Sequence, residues 1–297
     1  IWVVQGRNFT AEGIEFSGAK VPDQNGAGIR SETSGTLILR DCYFHDNEEG
    51  ILGGADSMVI ENCVFDRNGA GDGKTHNIYA MGRSFTLKGS TTKRAIVGHN
   101  VKTRAKNNYI LYNRIQDEAS GTASYEVDVP DCGRTYLIGN VIEQGPKSEN
   151  TGIISYGAES ASNAADLYVV NNTIVNDAGG GTFLQIREGT RALVINNIFY
   201  GPGTPWAGGR VTQSRNYVQP AMQNGPGFAD PLNFNYALTA ASPRDIVDAG
   251  ESPGLSVTGL DLTPVSECGD DARSRARPRS GAIDLGAFER ETAAAAR

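Results

Sequence analysis

The chain has 297 residues, with 27 Lys and Arg against 34 Asp and Glu for a formal charge of -7, a balance that excludes a general polyanion binder such as a non-specific nucleic-acid protein. No run approaches the roughly 18 consecutive apolar residues of a membrane span, and no charged segment followed by an apolar one opens the chain, so a soluble protein is expected. The 37 glycines exceed the usual share of about 7% and demand many tight turns.

From the N-terminus, IWVVQGRNFTAEGIEF already reads as a strand-turn-strand unit in progress, which predicts that its cap is missing or supplied upstream. The same pattern, alternating apolar residues, then Asn or a substitute, then another apolar residue, recurs as LILRDCYF, MVIENCVF, YILYNRI, YLIGNVI, YVVNNTI and LVINNIF, with FTLKGS as a weaker copy. Aligned on Asp41, Asn62, Asn113, Asn140, Asn172 and Asn197, the intervals are 21, 51, 27, 32 and 25 residues, the second spanning two repeats around Gly89. A period of 21 to 32 residues is that of a solenoid. The two-residue alternation and the β-branched residues exclude helix. The pattern predicts an all-β fold, a right-handed parallel β-helix of at least seven coils. Asn62, Asn113, Asn140, Asn172 and Asn197 are expected in one buried column, their amides bonded from coil to coil.

A second strand in each repeat aligns as GIRSE, GILGG, HNIYAM, HNVKTR, YEVDV, GIISYG and TFLQIR. With Ile29, Ile51, Ile78, Val101, Val127 and Phe183 inward, alternation turns Arg30, Leu52, Tyr79, Lys102 and Asp128 outward as one row. It sets Asn77, Asn100 and Glu126 in a parallel outward row and points His76 and His99 inward. Coils stack about 4.8 Å apart, so residues distant in sequence form a compact polar patch. Between Lys74 and Lys106 lie eight basic residues and no Asp or Glu, leaving the remainder of the chain at -15. Such a segment suits an acidic ligand, or is a solvated basic face.

Cys42 and Cys63 occupy equivalent places and read as stacked small core residues. Cys132 and Cys268 lie in loop-like PDCG and SECG, where a disulfide is an open alternative in an exported protein. Coils are expected over residues 1–200. The Pro- and Gly-rich run GPGTPWAGG then leads into a last coil and a cap over 201–290, covering the open sheet edges of the final coil. Residues 291–297 are expected to be disordered.

These repeats, with SYEVDVPDCG, GIISYGAE and the GAIDLGAFE tail, resemble bacterial exported right-handed β-helix proteins of the pectate-lyase-like superfamily, in its polysaccharide lyase branch. The resemblance implies a secreted or periplasmic protein. It leaves the chemistry open, because that superfamily includes lyases, hydrolases and epimerases of acidic polysaccharides as well as phage receptor-binding spikes.

The local residues favour an acidic sugar. β-Elimination of a uronate polymer needs the C6 carboxylate neutralised, a base for the C5 proton and an acid for the leaving oxygen. On two adjacent coils stand His76, Asn77 and Tyr79, then His99, Asn100, Lys102 and Arg104. The preferred allocation makes Lys102, its pKa lowered by neighbouring cations, or a neutral His99 the base. Arg104 with Asn77 and Asn100 would clamp the carboxylate, Tyr79 would donate the proton, and Arg30 would add a substrate contact. Lyases of the chondroitinase B and alginate-lyase branch also use Lys and Arg, but from separate coils beside a calcium site, so those roles are not carried over to two residues of one strand. A rival reading uses Glu126 and Asp128, with Cα atoms about 6.6 Å apart, as the acid and base of a glycoside hydrolase, where inverting enzymes place carboxyls roughly 6.5–9.5 Å apart. The same two acids could bind calcium with Asn100. A third reading is non-catalytic, an extracellular module that holds an acidic glycan or associates end to end.

Overall fold

The computed structural model describes residues 1–222 and 225–291. Among them the strands stack into nine coils, every contact between coils being parallel. Each coil has three faces. The first face runs from Trp2–Val4 and Ala27–Glu32 through His99–Thr103, Tyr125–Val129 and Gly152–Tyr156. The second includes Asn8–Glu12, Thr36–Arg40, Asn107–Leu111, Arg134–Ile138 and Leu167–Val170. The long strands Glu49–Glu61, Ile78–Lys88, Thr182–Ile195 and Thr204–Ser214 bend through both. The third is a nine-stranded sheet from Glu15–Ser17 to Tyr217–Gln219. Among the described residues no helix is long and apolar enough to cross a membrane.

Side-chain columns fill the interior. Ile29, Ile51, Ile78, Val101, Val127, Ile154 and Leu184 are successive register partners on the first face, all buried. Leu184 thus continues the column expected for Phe183, which sits one residue earlier. On the third face Phe16, Phe44 and Phe65 stack with ring centroids 4.7 and 4.8 Å apart. No single coil can bury these residues alone; stacking removes both ring faces from water.

The asparagine ladder exists, one residue out of the expected register at its start. Asn113 donates to Asn140 Oδ1 at 3.0 Å, Asn140 to Asn172 at 2.9 Å, Asn172 to Asn197 at 3.1 Å and Asn197 to Asn216 at 3.0 Å. Toward the N-terminus the ladder passes to Ser90, Cys63 and Cys42, not to Asn62. Asn62 belongs to the preceding column, where the chain adopts positive φ at Asp41 (49°), Asn62 (56°), Gly89 (58°), Tyr112 (59°), Gly139 (66°), Asn171 (51°), Asn196 (59°) and Arg215 (50°). Asp, Asn and Gly tolerate that conformation best. Two neighbouring positions therefore select overlapping residue types.

After the ninth coil the chain turns back along the solenoid. Phe228, Tyr236, Leu238, Ile246, Leu285 and Phe288 cover Val141, Val175, Ile198 and Tyr200, the outward side chains of the third face. Leu262 lies on the outward Tyr136, Tyr168, Val170 and Ile195 of the second face. Arg114 Nε donates to Gly269 O at 2.9 Å, and Arg273 reaches Asp41 at 3.1 Å. The C-terminal region expected over the last coil thus covers a flank of the solenoid, while Val218 of that coil stays 45% exposed. All four cysteines are free and buried. Cys132 packs in the main core and Cys268 in the flank cluster, so the disulfide considered between them is absent. Of the tail expected to be disordered, residues 292–297 lie outside the described residues.

Candidate functional site

The corner leading into the first face sets which side chains are available there. Strict alternation fails at it, because two consecutive residues turn inward in each of three coils. Asn77 and Ile78, Asn100 and Val101, and Glu126 and Val127 are all fully buried. Asn68 donates to Asn77 Oδ1 at 2.8 Å, Asn77 to Asn100 Oδ1 at 2.6 Å and Asn100 to Glu126 Oε2 at 2.7 Å. This is a second amide ladder, closing the interior of the corner. Asn77, Asn100 and Glu126, expected outward as ligand contacts, are fold residues instead. Burial holds the Glu126 carboxyl well above the usual carboxylate range. Neither the Glu126/Asp128 hydrolase pair nor the calcium set with Asn100 comes together on the outer face. Among the described residues no group of three or more His, Cys, Asp or Glu side chains is arranged to hold a metal ion.

The same doubled inward step sends His76 and His99 outward, opposite to expectation. Their rings stack at 4.6 Å and 14°, and His76 packs edge-on against Tyr79 at 5.3 Å. His76 Nδ1 accepts the His99 backbone N–H at 2.9 Å, and His99 Nδ1 accepts that of Tyr125 at 3.2 Å. Burial pushes their pKa values down to about 2 and about 3, helped at His76 by the stacked His99 ring and then Lys102 and Arg104, and at His99 by Lys102. Both are neutral rings whose hydrogen bonds assign the proton to Nε2. In His99 that nitrogen lies 3.6 Å from Asp128 Oδ2. Its one lone pair is engaged, so it does not offer a free base.

The outward row forms as expected: Arg30, Leu52, Tyr79, Lys102, Asp128, Ser155 and Gln185 are successive register partners. Arg30 is remote from the cluster, exposed and paired with Glu32 at 3.1 Å. Tyr79, Lys102, Arg104 and Asp128 come together with two residues the sequence reading passed over, Asp131 and Glu159. Lys102 Nζ lies 3.1 Å from Asp128 Oδ2 and 3.2 Å from Glu159 Oε1. Arg104 donates from Nη2 to Glu159 Oε2 at 2.5 Å, from Nη1 to Asp131 at 2.8 Å and from Nε to Tyr79 Oη at 2.8 Å. Both cations also flank the Tyr79 ring, at 5.7 and 5.9 Å.

These partners reverse the expected electrostatics. Burial alone would lower the Lys102 pKa, but Asp128 and Glu159 hold it above the ordinary lysine value. Lys102 is a protonated ammonium, not a base. It is also only 8% exposed, where a solvent-facing side chain was expected. Acids from other coils also pair with further cations of the basic segment: Arg83 meets Asp56, Lys93 meets Glu118 at 3.2 Å, and Arg94 meets Asp66 at 2.5 Å. Asp128 is pushed up by burial against the pull of Lys102, whereas Arg104 and Lys102 hold Glu159 below the usual range. The row continues past Asp128 into a cavity of about 310 Å³ lined by Ser155, Ala158, Gln185 and Arg187 among others.

Asp131 and Glu159 were legible only as acids within PDCG and GIISYGAE. Nothing local ties them to Lys102 and Arg104, since the loops carrying them meet the strand only after the coils stack.

Residues 1–160, more than half of the chain, match the model of the right handed beta helix region. No curated protein and no solved structure matches the chain. At its coarsest this supports a carbohydrate-active or carbohydrate-binding β-helix. Family match, parallel nine-coil stack and buried ladders agree, and the chain belongs to the right-handed β-helix family.

Proposed function

We propose that the chain binds an acidic, uronate-containing polysaccharide on the first face and cleaves it by β-elimination. One observation carries the reading: Lys102 Nζ and Arg104 Nη2 hold the two oxygens of a single carboxylate, that of Glu159. The pair has the spacing and charge to hold a uronate C6 carboxylate the same way. Neutralising that group acidifies the C5 proton. Tyr79 Oη takes the C5 proton as it gives its own to the departing C4 oxygen, while the C4–O bond breaks and the electron pair from C5 forms the C4=C5 double bond. Lys102 therefore moves from base to clamp, beside Arg104. Tyr79 Oη, held 2.8 Å from Arg104 Nε, is the group assigned to proton transfer. A polymer of this kind implies a secreted or periplasmic protein.

A second reading, glycoside hydrolysis, gains from the opposite displacement of Asp128 and Glu159, an acid held up and an acid held down beside one ammonium. Incubation with a panel of polyuronates separates the readings. New ultraviolet absorbance of an unsaturated uronate is the expected result. Reducing ends without that absorbance would favour hydrolysis, and binding with neither product a non-catalytic module.

A further inference from the structure

Glu159 is the most exposed member of the cluster, its side chain 50% accessible against 10% for Lys102 and 24% for Arg104. It rises from a loop that leaves the first face at Gly157, where φ is +80° and a Cβ would lie 2.3 Å from Cys132 Sγ. The loop backbone is fixed: the N–H groups of Glu159 and Ser160 donate to Pro130 O at 3.2 and 2.9 Å, and Asn163 N–H donates to Asp131 O at 3.1 Å. None of those bonds involves the Glu159 side chain, which can rotate away without disturbing the loop. When it does, Lys102 keeps Asp128, and Arg104 keeps Asp131 and Tyr79. Both cations stay in position, each with one acid, and a site for one more carboxylate opens between them.

We infer that Glu159 is an internal occupant of the substrate's carboxylate site and sets its selectivity: a ligand enters only if it brings an anion able to displace it. The inference rests on the uronate reading of that site. Glu159 imitates the ligand in charge, in its two oxygens and in its partners. Apparent affinity is then the intrinsic affinity multiplied by the fraction of molecules with Glu159 displaced. A neutral sugar gains nothing from the displacement and leaves the two cations short of an anion.

The test is calorimetric titration of the wild type, Glu159→Gln and Glu159→Ala with tetrasaccharides of galacturonate, glucuronate, mannuronate and guluronate, and with their neutral methyl esters. Glu159 is a half-exposed loop residue, so both variants are expected to fold as the wild type does. The expected result is affinity raised about 10-fold or more in both variants for at least one acidic oligomer, with no gain for its ester. Wild type and variants binding every acidic oligomer with no gain in the variants would overturn the inference and leave the uronate reading standing. An equal gain for the ester would also overturn it, since the effect would then be steric. No binding of any acidic oligomer by any of the three proteins would overturn both.

Discussion

Lys102 and Asp128 are register partners on adjacent coils, and their side chains meet at 3.1 Å with both residues largely withdrawn from water. The pair makes the ammonium permanent: burial would release its proton, and the carboxylates keep it.

Lys102→Arg is accordingly expected to keep uronate binding and turnover within a few-fold, because guanidinium preserves the charge that the clamp needs. Loss of turnover with retained binding would restore Lys102 as the base. Lys102→Met leaves Asp128 buried without its cation and should cost about 3 kcal/mol at pH 7. The loss should shrink on acidification as Asp128 takes up a proton, which urea denaturation at several pH values measures.

The corrected ladder register gives a second test. Asn113 donates to Leu87 O and Asn140 Oδ1 and accepts from the Ser90 backbone N–H, all fully buried. Asn113→Ala should cost about 2–4 kcal/mol, since removing it strands several buried groups at roughly 1–3 kcal/mol each. Asn62→Gly should cost less than about 1 kcal/mol, because glycine accepts the positive φ and no ladder bond is lost. Equal costs in denaturant titrations would reject this register.

Most of the solenoid could be read from period and alternation, because those follow from what each coil must bury. The inward column from Ile29 to Val127 stands as read, and the outward row from Arg30 to Asp128 keeps the expected register but is buried, not solvent-facing, at Lys102 and Asp128. Reading failed where two positions share a residue preference, as at Asn62 and Cys63, and where a corner breaks the two-residue period, as at Asn77 and Ile78. The site was legible in part. Tyr79 and Lys102 lie on two adjacent strands, with Arg104 just past the end of the second, and announce themselves; Asp131 and Glu159 lie in loops whose partners depend on stacking. A local run of eight cations could not reveal that acids from other coils lie against it.

Glu49, behind His76, offers a pH test read from stability alone. Its carboxyl is buried, Oε2 accepts the His76 N–H at 2.8 Å, and burial pushes its pKa up to about 9. The folded protein keeps this proton while the unfolded chain releases it near pH 4.5. That group's contribution is therefore fully present below pH 4.5 and is lost as pH rises toward about 9, at up to about 1.4 kcal/mol per pH unit. Glu49→Gln keeps an acceptor for His76 and removes the titration. Its stability advantage over the wild type should be absent near pH 4 and grow steadily to pH 8. A difference that does not vary with pH would show that Glu49 is ionised in the folded protein.

Tyr79 decides between chemistry and recognition, because its ring and its hydroxyl do different things. The ring lies beside both cations and against His76, a surface on which a sugar can stack. The hydroxyl touches Arg104 alone among the cluster's charged groups. Tyr79→Phe removes one acceptor from Arg104, which retains Asp131 and Glu159, so stability should change by less than about 1 kcal/mol. If the hydroxyl transfers the proton, kcat on a uronate polymer should fall about 10²- to 10⁴-fold while KM moves only a few-fold. If Tyr79 is a stacking platform, Phe should preserve both constants and Tyr79→Ala should raise KM. A Tyr79→Phe protein with unchanged kcat would remove Tyr79 from the chemistry and, since both histidines have Nδ1 engaged and Lys102 is held charged, leave Asp128 and Glu159 as the cluster's proton-transfer groups. Turnover that persists without the hydroxyl would have to move its proton through that pair, and the product would then decide: an unsaturated uronate keeps elimination with a carboxylate as the base, and reducing ends without that absorbance select hydrolysis.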